Sequence, residues 1–202
     1  MTRRPVDHIV SRRAFTLIEL LVVVGIIAVA ATLIGIGLTR GGEATALRAG
    51  QSLLVSQLNS ARAHAALSED VAVLAIPLDA TDPDRDHRLL SVAIDDDGLW
   101  RAVSDGTYLP EPIRIVGPEF GSSLLATTAP VALDPGNQTT LCYIIEFRPN
   151  GSLLNRGGGQ VSLAVSQRTA SGWEFLPDTP TQRVAVSRYG AISTQEEVVV
   201  TP

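Results

Sequence analysis

The chain has no lysine, so all 16 of its basic residues are arginine, and it has a single cysteine, Cys142. One cysteine excludes an internal disulfide and a zinc site built on cysteines. The alternating apolar residues around Cys142 predict a small core residue rather than a reactive thiol. Three histidines are present, and His64 and His87 have no Ser/Asp or Cys partner in an arrangement known from catalytic sites. The sequence therefore predicts no enzyme and no cofactor.

A long apolar segment near the amino end differs in composition from the remainder of the chain. No charged residue occurs from Leu20 to Thr39, and a helix of that length spans about 30 Å, which is enough for the apolar core of a bilayer. Four arginines precede the segment, and a basic flank of this kind stays on the cytoplasmic side. The pattern predicts a leader at residues 1–14, a transmembrane helix at 15–39 and an external domain at 40–202.

The external domain begins with helical periodicity and continues with strands. A helix predicted at residues 43–67 carries apolar side chains on one face: Leu47, Leu54, Leu58, Ala61 and Ala65. In the β-rich part, residues 70–202, strands are predicted at 71–76, 90–94, 99–103, 141–147, 161–165 and 183–187. Asp97-Gly98 is typical of a two-residue hairpin turn. Polar connections are expected at 79–88, 117–134 and 176–182. The pattern predicts an α+β fold, with the amphipathic helix packed on antiparallel sheets.

Glu19 is the one charged residue inside the apolar segment. A carboxylate at that depth costs about 2–3 kcal/mol on permissive insertion scales, so Glu19 is a functional candidate. Cleavage before Phe15 would create a cation at similar depth, a free α-amino group. In a stack of such helices, Glu19 of one subunit can pair with the terminal amine of its neighbour. A glutamate near a helix N-terminus also suits the helix dipole.

The stretch Ala14-Phe15-Thr16-Leu17-Ile18-Glu19, followed by the apolar run, resembles the type IV prepilin signature. The resemblance implies a pilin-like fold, cleavage between Ala14 and Phe15 by a membrane prepilin peptidase, and N-methylation of Phe15 by the same enzyme. It also implies a fibre subunit in which Glu19 acts in assembly. The implied partners are other major and minor pseudopilins, an inner-membrane assembly platform and membrane lipid. The family usually has glycine before the cut, where this chain has alanine.

The second half resembles the GspH/FimT pseudopilins, in which a Phe-x-Pro-x-Gly hairpin precedes a strand pair and a last strand that ends in glycine. The matching residues are Phe147-Arg148-Pro149-Asn150-Gly151 and Gly190. This resemblance implies a minor pseudopilin of type II secretion, in the inner membrane with its domain in the periplasm. A minor pilin of a type IV pilus is the alternative, and the sequence does not separate the two.

Charge argues against nucleic acid as a partner. Removal of residues 1–14 takes away four arginines and Asp7, which leaves 12 basic and 20 acidic residues. A domain that acidic, without a basic cluster, is not expected to bind nucleic acid. Some FimT-type members bind DNA through arginines around the last glycine. Near Gly190 this chain has only Arg188, so that activity is not inferred.

Two other interpretations concern the amino end. Arg12-Arg13, followed by Ala28-Val29-Ala30, is similar to a twin-arginine export signal that would release a domain beginning at Ala31. Glu19 interrupts the apolar core that such a signal needs, and apolarity continues to Leu38. A plain membrane anchor is the other interpretation, and the depth of Glu19 disfavours it.

Two more interpretations concern the domain. A membrane-anchored adhesion or binding module would use the connections at 79–88 and 117–134. Calcium is suggested by Asp82, Asp84 and Asp86, but the glycine and the distal glutamate of an EF-hand are missing. The sequence predicts solvated turn carboxylates there, and no metal.

Overall fold

The computed structural model describes residues 17–79, 82–134, 138–154, 157–169, 172–176 and 179–197, without the side chains of 30–41 and 196–197. The chain divides into two units, Met1–Gly41 and Gly42–Pro202. The described elements are α1 (Leu17–Ser68), β1 (Ala72–Pro77), β2 (Leu89–Asp96), β3 (Leu99–Ala102), β4 (Thr107–Tyr108), β5 (Ile113–Ile115), a 3₁₀ turn (Pro118–Phe120), β6 (Thr128–Ala132), β7 (Thr139–Phe147), β8 (Gly159–Thr169), β9 (Gly172–Phe175), β10 (Thr181–Val186) and β11 (Ile192–Glu197).

The buried helix face predicted from the sequence is confirmed. Its five apolar residues are buried, with Leu54 and Leu58 fully enclosed. Gly50 lies on the same face, where a Cβ would come within 3.3 Å of Ile113 Cγ2, so the helix approaches β5 closely. The helix ends at Ser68, and the next residue, Glu69, takes a left-handed φ of 56°. Packing of this face therefore holds the second half of α1 on the sheets.

The sequence predicted two helical stretches, at 15–39 and at 43–67. In the structure α1 continues from Leu17 to Ser68, through Gly41 and Gly42. Each glycine weakens a helix by about 1 kcal/mol relative to alanine, and the helix forms in spite of the pair.

Polar side chains along the edges of α1 bind the domain. Gln51 Nε2 donates to the Arg183 carbonyl at 3.2 Å, and Gln57 Nε2 donates to Thr107 Oγ1 at 2.9 Å. These bonds tie the helix to β10 and β4, so residues that the helical period places beside the apolar face also fix the position of the helix.

Five strands close into a ring, in the order β1–β7–β6–β3–β2 and back to β1. Alternate β1 residues serve two cores: Leu74 and Ile76 belong to the core beneath α1, and Val73 and Ala75 belong to a second core inside the ring. Period-two alternation explains why every residue of β1 is buried. The described pairs are antiparallel except β3–β6, which is parallel because the chain passes through the other sheet before it returns as β6.

The second sheet has the order β11–β10–β8–β5, with β9 paired to the far end of β8. Its inner face packs on α1 through side chains such as Leu163, Val165 and Val184. The outer face carries Arg114 and Ser162, which are nevertheless buried because other segments cover them. The α+β prediction, a helix packed on antiparallel sheets, is confirmed.

The Asp97-Gly98 hairpin is also confirmed: Asp96 pairs with Leu99, and the two turn residues have φ of 55° and 85°. The prediction that the whole of 117–134 is a polar connection is wrong, because the segment contains the 3₁₀ turn and β6. Strand β6 was not predicted because it contains Pro130, and proline disfavours a strand. Pro130 is tolerated because residues 128–130 pair only with β7, so no second ladder needs the missing N–H. The connection predicted at 176–182 is too long, since β10 begins at Thr181.

Candidate functional site

The proposed processing site, Ala14 and Phe15, lies outside the described residues. The description begins at Leu17, in the first turn of α1, with Glu19 two residues later. From Leu17 to Val29 the helix exposes large apolar side chains on all sides: Leu17, Ile18, Leu20, Leu21, Val22, Val23, Val24, Ile26, Ile27 and Val29. A patch of this kind marks a surface that another apolar phase or protein covers.

Phe15, Thr16 and the side chains of 30–39, which belong to the predicted span, lie outside the described residues. Within the described portion, no helix combines the length and the apolarity that a membrane crossing requires.

The two glycines of the second resemblance come together in the fold. Gly151 and Gly190 have φ of 77° and 78°. The hairpin is closed by the Gly151 N–H, which donates to the Arg148 carbonyl at 2.8 Å. Arg62 of α1 donates to the Gly190 carbonyl at 3.2 Å. The helix, the hairpin and the last turn therefore meet at one point, where glycine provides both the backbone angle and the space.

A cleft of about 550 Å³ opens on the outer face of the second sheet. Arg114 of β5 lies in its floor, 2% exposed. Its guanidinium donates to the Asp86 carbonyl and, at 2.7 Å, to the Pro83 carbonyl. It also stacks on Trp173 at 3.6 Å from the ring centre. Burial lowers the pKa of Arg114 to about 10, so the guanidinium remains charged at neutral pH.

The remaining lining of the cleft combines aromatic and apolar side chains with Arg183 and with the exposed carboxylates of Glu119 and Glu174. Phe120 and Phe175 stand with their ring centres 6.3 Å apart, and Val116, Ala164 and Leu176 add aliphatic surface. Trp173 Nε1 donates to the Pro83 carbonyl at 2.9 Å, which fixes the indole. Trp173 thus forms part of the rim of this cleft.

Ser162 and His87 also line the cleft. Ser162 is 4% exposed, and its Oγ has no hydrogen-bond partner among the described residues. His87 Nδ1 lies 2.8 Å from Asp86 Oδ1, so His87 does have a carboxylate neighbour, contrary to the sequence-based expectation. Since the Ser162 hydroxyl is unbonded, serine and histidine do not form a nucleophile–base pair here.

Two of the three aspartates considered for calcium, Asp82 and Asp86, accept hydrogen bonds from backbone N–H groups of their own turn. Asp82 Oδ1 accepts from the Asp84 N–H at 3.1 Å, and Asp86 Oδ1 accepts from the Asp79 N–H at 3.1 Å. Among the described residues, no group of three or more His, Cys, Asp or Glu side chains is placed to hold a metal ion. These carboxylates cap backbone N–H groups, as turn aspartates do.

Cys142 lies inside the strand ring, fully buried, with Sγ 3.5 Å from the Thr140 carbonyl. Burial raises the pKa of its thiol to about 12. The prediction of a core cysteine is confirmed.

Sequence reasoning missed the cleft and its central arginine. A signal was present in Ile113-Arg114-Ile115, because a charge between two core residues must point to the opposite face of its strand. The sequence did not reveal that this face would be covered, since the covering residues come from β9 and from the segments around His87 and Phe120.

Residues 10–35 match the family model described as the prokaryotic N-terminal methylation motif. By this motif the chain is a pilin-like prepilin. The motif implies that the prepilin is processed by a prepilin peptidase and assembles with other pilin-like subunits. No curated protein has a matching sequence. Among solved structures, the prepilin is similar to the type IV minor pilin FimU of Pseudomonas aeruginosa, with 14% identity and a TM-score of 0.40 over 73% of this chain and 90% of that chain.

Proposed function

We propose that the prepilin is a structural minor pseudopilin of the GspH/FimT type, without catalytic activity, in a type II secretion pseudopilus. It is cut between Ala14 and Phe15, methylated on Phe15 and held in the inner membrane with its domain in the periplasm. The observation that supports this proposal is the prepilin motif at the start of a helix that exposes large apolar side chains from Leu17 to Val29, while one face of its second half is buried in the domain. A minor pilin of a type IV pilus remains the alternative.

During assembly, the exposed apolar part of the helix would exchange its contacts with lipid for contacts with neighbouring subunits. In the membrane, lipid covers its apolar side chains, and in a fibre the helices of neighbouring subunits cover them instead. Glu19 favours the fibre over the membrane, because a carboxylate in lipid is unfavourable and the α-amino group of a neighbouring subunit offers it a cation. In a water-poor fibre core, such a pair is strong when it is well aligned. The partners are therefore other pseudopilins and the inner-membrane assembly platform.

Mass spectrometry of the mature amino terminus tests the proposal. We expect a chain that begins with N-methylated Phe15 in a host with a prepilin peptidase. A chain that begins at Ala31 would indicate the twin-arginine pathway, and an intact Met1 would indicate a plain anchor. Either result overturns the proposal.

Deletion of the gene in the native host distinguishes a type II pseudopilus from a type IV pilus. Deletion of the gene should abolish secretion of a type II substrate and leave type IV pilus motility intact. Loss of motility with normal secretion would assign the prepilin to the type IV pilus instead.

A further inference from the structure

The outer cleft of the second sheet has the volume of a ligand pocket, since about 550 Å³ lies within the usual range of roughly 300–1,000 Å³. It is bordered by parts of the two connections that sequence analysis considered for binding, at Asp86, His87, Glu119 and Phe120. Phe120 is 68% exposed and stands at the mouth of the cleft. The cleft thus combines an open aromatic rim with an enclosed floor.

Two polar groups in that floor are incompletely satisfied. Arg114 is almost completely buried, yet it forms no ion pair with a carboxylate anywhere in the described part of the chain; its guanidinium binds two backbone carbonyls instead. The carboxylates of Asp86, Glu111 and Asp84 favour the charge from a distance, but none is bonded to the guanidinium, and burial outweighs them. An anion that reaches the guanidinium therefore gains a direct ion pair. Ser162 Oγ, also buried, has both its donor and its acceptor capacity unused.

The apolar walls of the cleft restrict which kind of ligand can bring an anionic group to Arg114. Val116, Phe120, Phe175 and Leu176 offer apolar surface on both sides of the charged floor. A small free anion would leave this surface in water, whereas an apolar peptide with one acidic side chain would cover the walls and bring its carboxylate to the floor. Peptide amides would also supply partners for Ser162.

We propose that the outer cleft binds a peptide segment of a partner protein, in which one acidic side chain, flanked by apolar residues, pairs with Arg114 and hydrogen-bonds Ser162. This inference stands independently of the proposed fibre role, because the residues involved lie in the domain and not in the exposed part of α1.

Fluorescence of the full chain in nonionic detergent tests the proposal. Trp100→Phe leaves Trp173 as the single tryptophan, in contact with Arg114. The probes are N-acetylated, amidated Val-Glu-Val and its Val-Gln-Val counterpart, with sodium acetate as a free carboxylate. We expect saturable binding of the glutamate peptide at least about fivefold tighter than that of the glutamine peptide, with a difference that shrinks as salt is raised.

Variants inside and outside the cleft test whether the peptide binds there. Arg114→Gln should reduce the affinity for the glutamate peptide to that for the glutamine peptide, and Arg101→Gln, which removes an arginine outside the cleft, should not. Should Arg114→Gln fail to fold, Ser162→Val decides: it keeps a β-forming residue on β8, fills the floor and should abolish binding, while Ser193→Val on the exposed β11 should not.

Three outcomes overturn the proposal. These are equal affinities for the two peptides, unchanged binding in Ser162→Val, and an acetate affinity equal to that of the glutamate peptide. Each can occur whether or not the chain enters a fibre, so failure here is distinguishable from failure of the proposed function.

Discussion

Gly190 lies against the carbonyl oxygen of Gly151, so closely that a Cβ built on Gly190 would overlap that oxygen. The contact joins the turn after β10 to the hairpin after β7. It explains why glycine is needed at position 190, whereas at position 151 an added Cβ would come within 2.6 Å of Arg62 Nε.

Gly190→Ala should therefore destabilise the fold by more than backbone strain alone. A left-handed residue other than glycine costs of order 1 kcal/mol, and overlap with the neighbouring backbone adds about 1–3 kcal/mol. The matched control is Gly98→Ala, which has φ of 85° but open space around its Cβ position. Urea unfolding of both variants measures the difference, and equal losses would mean that the Gly151 contact does not constrain the fold.

Leu54→Ala and Leu58→Ala should each lower the unfolding free energy by about 2–4 kcal/mol, because both side chains are fully buried beneath the sheets. Leu67→Ala serves as the control, since Leu67 is 81% exposed and its loss should change stability by less than about 0.5 kcal/mol. Comparable small effects at all three positions would contradict the packing of the helix face.

Cys142 should make stability depend on alkaline pH. Its folded pKa, about 12, is raised above the ordinary value of 9.0. Above pH 9 the unfolded thiol releases a proton that the folded thiol keeps, so this contribution to stability falls as pH rises, by about 1.4 kcal/mol at pH 10. Because Cys142→Ala lacks the thiol, the stability gap between parent and variant should narrow from pH 7 to pH 10. A constant gap would contradict the prediction.

Glu19→Leu should insert into the membrane at least as well as the parent, still be cleaved after Ala14, and fail to enter the fibre or enter poorly. Glu19→Asp should be intermediate, because the charge remains and the reach is shorter. Co-purification with the other pseudopilins, together with analysis of the amino terminus, measures both steps. Parental assembly of Glu19→Leu would remove the carboxylate–amine pair from the assembly mechanism.

Ala14→Leu should block cleavage, because the peptidase must accommodate an extended, small residue before the cut, whereas Ala14→Gly should be processed as fast as the parent or faster. The sizes of precursor and mature chain on a gel report the result. Normal processing of Ala14→Leu would place the cut elsewhere.

Local patterns made much of the domain predictable. The period of Leu47, Leu54 and Leu58 predicted a buried helix face, and Asp97-Gly98 predicted a hairpin, because both depend on residues close in sequence. Strands β4, β5, β6, β9 and β11 were missed. They are short or polar, and their pairing partners decide their conformation more than their own residues do.

The sequence by itself determined the prepilin-type amino terminus and the helix–sheet division, because a cleavage motif, an apolar run and a residue period are properties of contiguous residues. Only the tertiary structure decided that five strands close into a ring, that Gly151 meets Gly190 and that Arg114 is buried beneath Trp173. Each of these depends on residues far apart in the chain. Their proximity is set by the packing of whole elements, which no local pattern records.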